Sequence, residues 1–214
     1  MNGKKMLVKA WMIGFALCIA ASASAVQLRG NDYMAGGLDV YDWQNPSMDV
    51  GYGRSYGASV LLNQNLEENW DGYISYAGFS DKAQSGTIEL ERHTILVGLN
   101  YLILPERLVL LDQPFTPYFG GSAGIVASEE NGNSMSDAAF GLMLGAEWAM
   151  CSDAFLDINL FYSFVDDGIS ENDDAGIRFS TGVQIIEKLI GTVGASYKFD
   201  AQDAVITVGA TIEF

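Results

Sequence analysis

Beyond residue 25 the chain has no run of 18 consecutive apolar residues, so nothing there can cross a bilayer as a helix. Basic residues are scarce: 11 Lys and Arg stand against 27 Asp and Glu, a net charge of −16. That balance excludes a protein that seeks the nucleic-acid backbone. Cysteine is nearly absent, with only Cys18 and Cys151, which excludes a disulfide framework. There is one histidine, His93, and no glycine-rich phosphate loop in a strand-to-helix setting. What is present is apolar: 49% of the residues are hydrophobic, too many for a disordered acidic tail.

The N-terminus reads as an export signal. Lys4, Lys5 and Lys9 precede an almost wholly apolar stretch from Ala10 to Ala20, and Ala21-Ser22-Ala23-Ser24-Ala25 follows. Small residues at Ala23 and Ala25 fit a signal peptidase, which places the cut after Ala25. The apolar stretch is shorter than the ~20 residues of a spanning helix. Leu17 stands where a lipoprotein signal carries a small residue, so Cys18 reads as an apolar residue of the signal. Two segments result: a cleavable signal at 1–25 and one domain at 26–214. In the latter 27 acids face eight bases, a net charge of −19.

Strict period-2 alternation, the mark of strands, fills that domain. In Ala204 to Phe214, Ala204, Ile206, Val208, Ala210, Ile212 and Phe214 share one face, opposite Val205, Thr207, Gly209, Thr211 and Glu213. The same two-faced pattern runs through Leu189–Phe199, Ile177–Ile185, Phe155–Phe164 and Ala139–Trp148. Earlier strands are expected at Pro117–Ser128, Thr87–Tyr101, Trp70–Phe79, Tyr52–Leu62 and Tyr33–Tyr41. Most of these are about 9–13 residues long, which suits a tilted transmembrane strand. Strands of soluble sandwiches are typically about half that length. One face carries large apolar residues and the other is rich in Gly, Ser and Thr. The pattern fits a barrel that is greasy toward lipid and polar within.

Connections at 63–68, 149–153 and 187–188 are short, whereas 42–49, 80–86, 129–136, 166–175 and 200–203 are mostly longer and rich in polar residues. Antiparallel alternation puts the two kinds at opposite ends, with 102–114 a long connection on the short-turn side. Ten strands bring both termini to the periplasmic end, and eight is the alternative. Aromatic girdles are expected from Trp70, Tyr101, Tyr118, Trp148 and Phe214 at the periplasmic end, and from Tyr41, Trp43, Phe79, Phe164 and Phe199 at the outer end.

The C-terminus, Thr207-Val208-Gly209-Ala210-Thr211-Ile212-Glu213-Phe214, resembles the β-signal of Gram-negative outer-membrane proteins. A polar start, a glycine two residues on and alternation to a terminal Phe carry the likeness. The resemblance implies recognition of Thr207, Gly209, Ile212 and Phe214 by the barrel-assembly machinery through strand pairing. In pattern, the domain is similar to small outer-membrane barrels of the OmpA/OmpX type. That similarity implies an all-β, transmembrane, antiparallel up-and-down barrel in the outer membrane, monomeric, surrounded by lipid and lipopolysaccharide. No cofactor is expected, and the cell-wall tethering of the longer family members is not implied.

On the expected inner face the charges are few. Arg92, Arg178 and Lys198 fall toward the outer end, and Asp71, Glu147, Asp157 and Glu213 toward the periplasm. Unpaired charge is costly in a narrow lumen, so these residues are expected to pair with one another or be wetted, in a polar network that plugs the barrel. A small-solute pore lined by the same residues is the alternative. A barrel enzyme using His93 is a second one, although Glu91-Arg92-His93-Thr94-Ile95 offers no adjacent serine and puts His93 in the lipid-facing phase. The acidic stretches at Glu129-Glu130 and Asp166-Asp167, Glu171, Asp173 and Asp174 read as solvated loops, since their spacing matches no EF-hand. The expected role is structural or adhesive, without metal or catalytic residues.

Overall fold

In the computed structural model the described residues are 28–42, 54–82, 89–103, 108–110, 112–130, 132–166, 174–200 and 204–214. The signal segment, Trp43 and much of the polar loops lie outside them. Eleven strands are described: β1 (Tyr33–Asp42), β2 (Arg54–Glu67), β3 (Trp70–Lys82), β4 (Glu89–Leu102), β5 (Val109–Leu110), β6 (Gln113–Glu130), β7 (Asn133–Cys151), β8 (Ala154–Asp166), β9 (Asp174–Ile186), β10 (Leu189–Lys198) and β11 (Ala204–Glu213). The two-residue β5 only pairs with the start of β6. The other ten form an antiparallel meander in which β1 pairs with β11 and β4 with β6, so the sheet closes on itself. Closure leaves no barrel strand with an open edge, which an apolar sheet in lipid requires. The expected ten strands are present, and eight is set aside.

Alternation assigns the faces as read from the sequence. Leu38, Leu142 and Val208, on three different strands, are 71%, 63% and 58% exposed outside the barrel. Inside, Asp71, Asn63 and Glu147 are 0%, 1% and 2% exposed. This distribution inverts that of a water-soluble protein, where buried charge is rare and large apolar residues cluster inside.

At one end the connections are tight. Two residues link β2 to β3, β7 to β8 and β9 to β10, and each of these hairpins carries a register shift beside its turn. Such bulges add local twist where the strands reverse. Lys188 takes the left-handed backbone a two-residue hairpin demands (φ 67°). Both described termini, Leu28 and Phe214, lie at this end, and Phe214 N–H donates to the Asp32 carbonyl at 3.2 Å. Short turns are the periplasmic signature of such barrels, so the opposite end is the outer one.

Two sequence expectations change. The expected loop 129–136 is instead hairpin: β6 and β7 run for 18 and 19 residues to a tight turn at Gly132 (φ 81°). The cross-strand ladder Glu129↔Ser134 and Glu130↔Asn133 continues through polar residues, because backbone pairing is indifferent to side-chain polarity. The connection expected at 63–68 likewise shrinks, since β2 continues to Glu67.

The aromatic girdles are also thinner than expected. Trp70, Tyr101 and Phe119 form a chain of ring contacts at 5.1 and 5.4 Å near the short-turn end. Phe140–Phe164 and Tyr197–Phe199 do the same farther out. Tyr118 and Phe79, however, are buried, and Tyr41 lines the interior. Their position along the strand suited a girdle, but the alternation turns them inward.

Candidate functional site: the floor and lumen of the barrel

The lumen is organised from the N-terminal segment upward. Leu28-Arg29-Gly30-Asn31 forms a turn closed by Asn31 N–H to the Leu28 carbonyl, 3.1 Å. Gly30 at its third position takes φ 84°, a geometry glycine adopts without strain. The turn delivers Arg29 and three backbone N–H groups into the barrel mouth. Leu28 and Arg29 N–H donate to Glu147 Oε1 at 2.8 and 3.0 Å, and Gly30 N–H donates to Asp71 Oδ2 at 3.1 Å. Arg29 Nη2 reaches Asp157 Oδ2 at 3.3 Å.

Further groups complete this floor. The Tyr118 hydroxyl donates to both Asp157 oxygens, at 2.9 and 3.0 Å, and Asn159 Nδ2 donates to Asp157 Oδ1 at 3.0 Å. The Arg29 guanidinium lies 4.0 Å from the centre of the Tyr118 ring, a cation–π contact in a site shielded from water. Beside it Leu28, Tyr33, Phe155 and Ile190 pack as an apolar cluster, with Ala35 and Leu61 against them. Burial works against the Arg29 charge, but Tyr118, Tyr33, Asp157 and Glu147 outweigh it and raise its pKa well above the ordinary arginine value. Each of the three carboxylates accepts two or more hydrogen bonds, and the guanidinium has an ion pair and a ring face, the condition under which buried ions are tolerated.

Of the seven lumen charges expected from the sequence, Asp71, Glu147 and Asp157 meet at the floor. Arg92, Arg178 and Lys198 line the upper cavity with Asp39. The Thr207 hydroxyl donates to Asp39 Oδ1 across the seam. The Arg178 guanidinium sits 5.3 Å from the Phe161 ring centre. Glu213 is at the rim of the short-turn end, where its backbone N–H donates to the Lys188 carbonyl. The partners the structure gives the floor acids come from 28–30 and from Tyr118, Asn65 and Asn159. Arg29 went unread because it lies in a polar stretch before the first strand, where alternation gives no phase.

Three residues of the expected assembly signal lie on β11 at the closing seam, and the fourth, Phe214, directly follows the strand. Thr207, Gly209 and Ile212 sit opposite Asp39, Gly37 and Met34 of β1, while Phe214 points outward and is 65% exposed. His93 is on the outer surface. Its Nδ1 is 2.9 Å from the Tyr76 hydroxyl and the two rings stack at 6.1 Å.

A polar lumen inside an apolar exterior, within a sheet that closes on itself, decides the architecture. The fold is that of an outer-membrane β-barrel. No family model matches the chain, and no curated protein matches it. Similar barrels among solved structures include Ail, the attachment invasion locus protein of Yersinia pestis, 13% identical over 87% of this chain and 100% of its own, TM-score 0.41. Neisserial surface protein A is 12% identical, covering 86% and 97%, with a TM-score of 0.47. OprG from Pseudomonas aeruginosa is 11% identical, covering 86% and 96%, with a TM-score of 0.42.

Proposed function

We propose that the protein is a monomeric, non-enzymatic barrel whose lumen is plugged and whose work is done at the cell surface. The observation that supports this reading is the floor: Arg29 and the turn carrying it are bonded to Glu147, Asp71 and Asp157 on three strands. An ion entering from the outside meets paired charges and an apolar cluster instead of a water column. The hairpin β6–β7, with exposed Asn133, Ser134, Met135 and Ser136, supplies outward-facing surface.

In this reading the chain is exported through a cleaved signal in a Gram-negative cell and inserted by the barrel-assembly machinery. It is then held in lipid and lipopolysaccharide by its apolar outer face. The test is planar-bilayer recording of the purified, heat-modifiable barrel. Absence of stepwise current agrees with the plug. Regular conductance steps would overturn it in favour of a small-solute pore.

A further inference from the structure

Above the floor lies a cavity of about 550 Å³. Its volume falls within the ~300–1,000 Å³ range of small-molecule sites. At its lower end Asn63, Asn100 and Asn159 are 1%, 1% and 5% exposed, yet none of their side-chain oxygens accepts a hydrogen bond. The amide nitrogens of Asn63 and Asn159 donate to the Asn31 carbonyl and to Asp157. Those bonds fix the amide orientations and leave the oxygens as acceptors in want of donors. Buried polar atoms are nearly always satisfied, so three such acceptors lining one cavity call for a partner.

The upper end has the opposite character. Arg92 on β4, Arg178 on β9 and Lys198 on β10 line the same space, and Asp39 is the one acid among the described lining residues. In a chain with 27 acids and a net charge of −16, three cations thus share one part of the lumen. Phe161 offers a flat face beneath Arg178. Cations at one end and bare acceptors at the other select a molecule with a negative group and hydrogen-bond donors.

We propose that the lumen is a blind cup that binds a small hydroxylated organic anion. Its carboxylate is held by Arg92, Arg178 and Lys198, and its hydroxyls donate to Asn63, Asn100 and Asn159. The word blind rests on the closed floor proposed above; the binding chemistry does not.

The test uses the full chain refolded in detergent, with folding checked by the heat-dependent gel shift. Glucuronate, glucose and acetate are titrated by calorimetry: the first carries both features, the others one each. Glucuronate is expected to bind saturably and at least ten-fold more tightly than either. Arg178→Gln should weaken glucuronate ten-fold or more while leaving glucose unchanged, and Asn100→Leu should weaken glucuronate while leaving acetate unchanged. No saturable heat, equal affinity for acetate and glucuronate, or indifference to both substitutions in folded protein would overturn the cup. Ionic current through the unmodified barrel would overturn the closed floor alone.

Discussion

Arg29 and Asp157, 128 positions apart in sequence, form a 3.3 Å ion pair that ties the entry segment of the chain to the eighth strand. Both side chains are largely shielded, at 13% and 7% exposure. The pair is therefore insulated from salt screening, and it is costly to break from one side.

Replacing Arg29 with Met removes one ion and leaves Asp157 uncompensated. The expected loss is roughly 3–5 kcal/mol, the range for breaking a buried pair. The measurement is urea unfolding of the barrel in lipid vesicles, followed by the gel shift. Adding Asp157→Asn to Arg29→Met should recover part of that loss, because the stranded charge is removed. A single variant as stable as the parent would mean that Arg29 does not hold the floor.

The same segment shows where sequence reading reaches and where it stops. Period-2 alternation places Leu142, Val208 and Glu147 on their correct faces, since a strand's pleat admits only two. It also gives the phase of Asp71 and Asp157, which do face the floor. It could not give Arg29, because a turn has no period and the pairing partner lies on the far side of the barrel. The Leu28–Asn31 turn did carry a signal in Gly30, whose φ of 84° suits the third position of such a turn. The reach of β6 and β7 was hidden for another reason. Polar residues from Glu129 to Ser136 look like loop until the ladder Ala127↔Ser136 is seen.

Gly209 is expected to matter before any assembly factor sees it. An added Cβ there would lie 2.2 Å from the Gly36 carbonyl oxygen and 2.8 Å from Gly37 Cα, both fixed backbone of the seam. Gly209→Ala should therefore reduce spontaneous refolding into vesicles that contain no protein machinery. Gly36→Ala provides the control, because its added Cβ meets nothing closer than 3.8 Å. If the two variants refold equally well, Gly209 is not constrained by the seam and its role lies in recognition alone.

The apolar exterior predicts a cost that depends on depth. Leu144 is 58% exposed on β7 between Phe140 and Trp148, with Phe119 and Leu160 as its cross-strand neighbours. Ser136 lies eight residues earlier on the same strand and the same face, in a stretch where the neighbouring residues are mostly polar and exposed. Eight residues of a tilted strand span most of a hydrocarbon half-layer and its headgroups. Leu144→Arg should destabilise the barrel by about 2–4 kcal/mol, the value for a lipid-facing cation near the midplane, and Ser136→Arg by about 0–1 kcal/mol. Paired urea titrations in vesicles measure the difference directly. Equal and small effects would mean that the β7 exterior meets water along its whole length, and the membrane assignment of this face would fall. Equal and large effects would instead put the β6–β7 hairpin inside the bilayer, and the surface role proposed for it would fall.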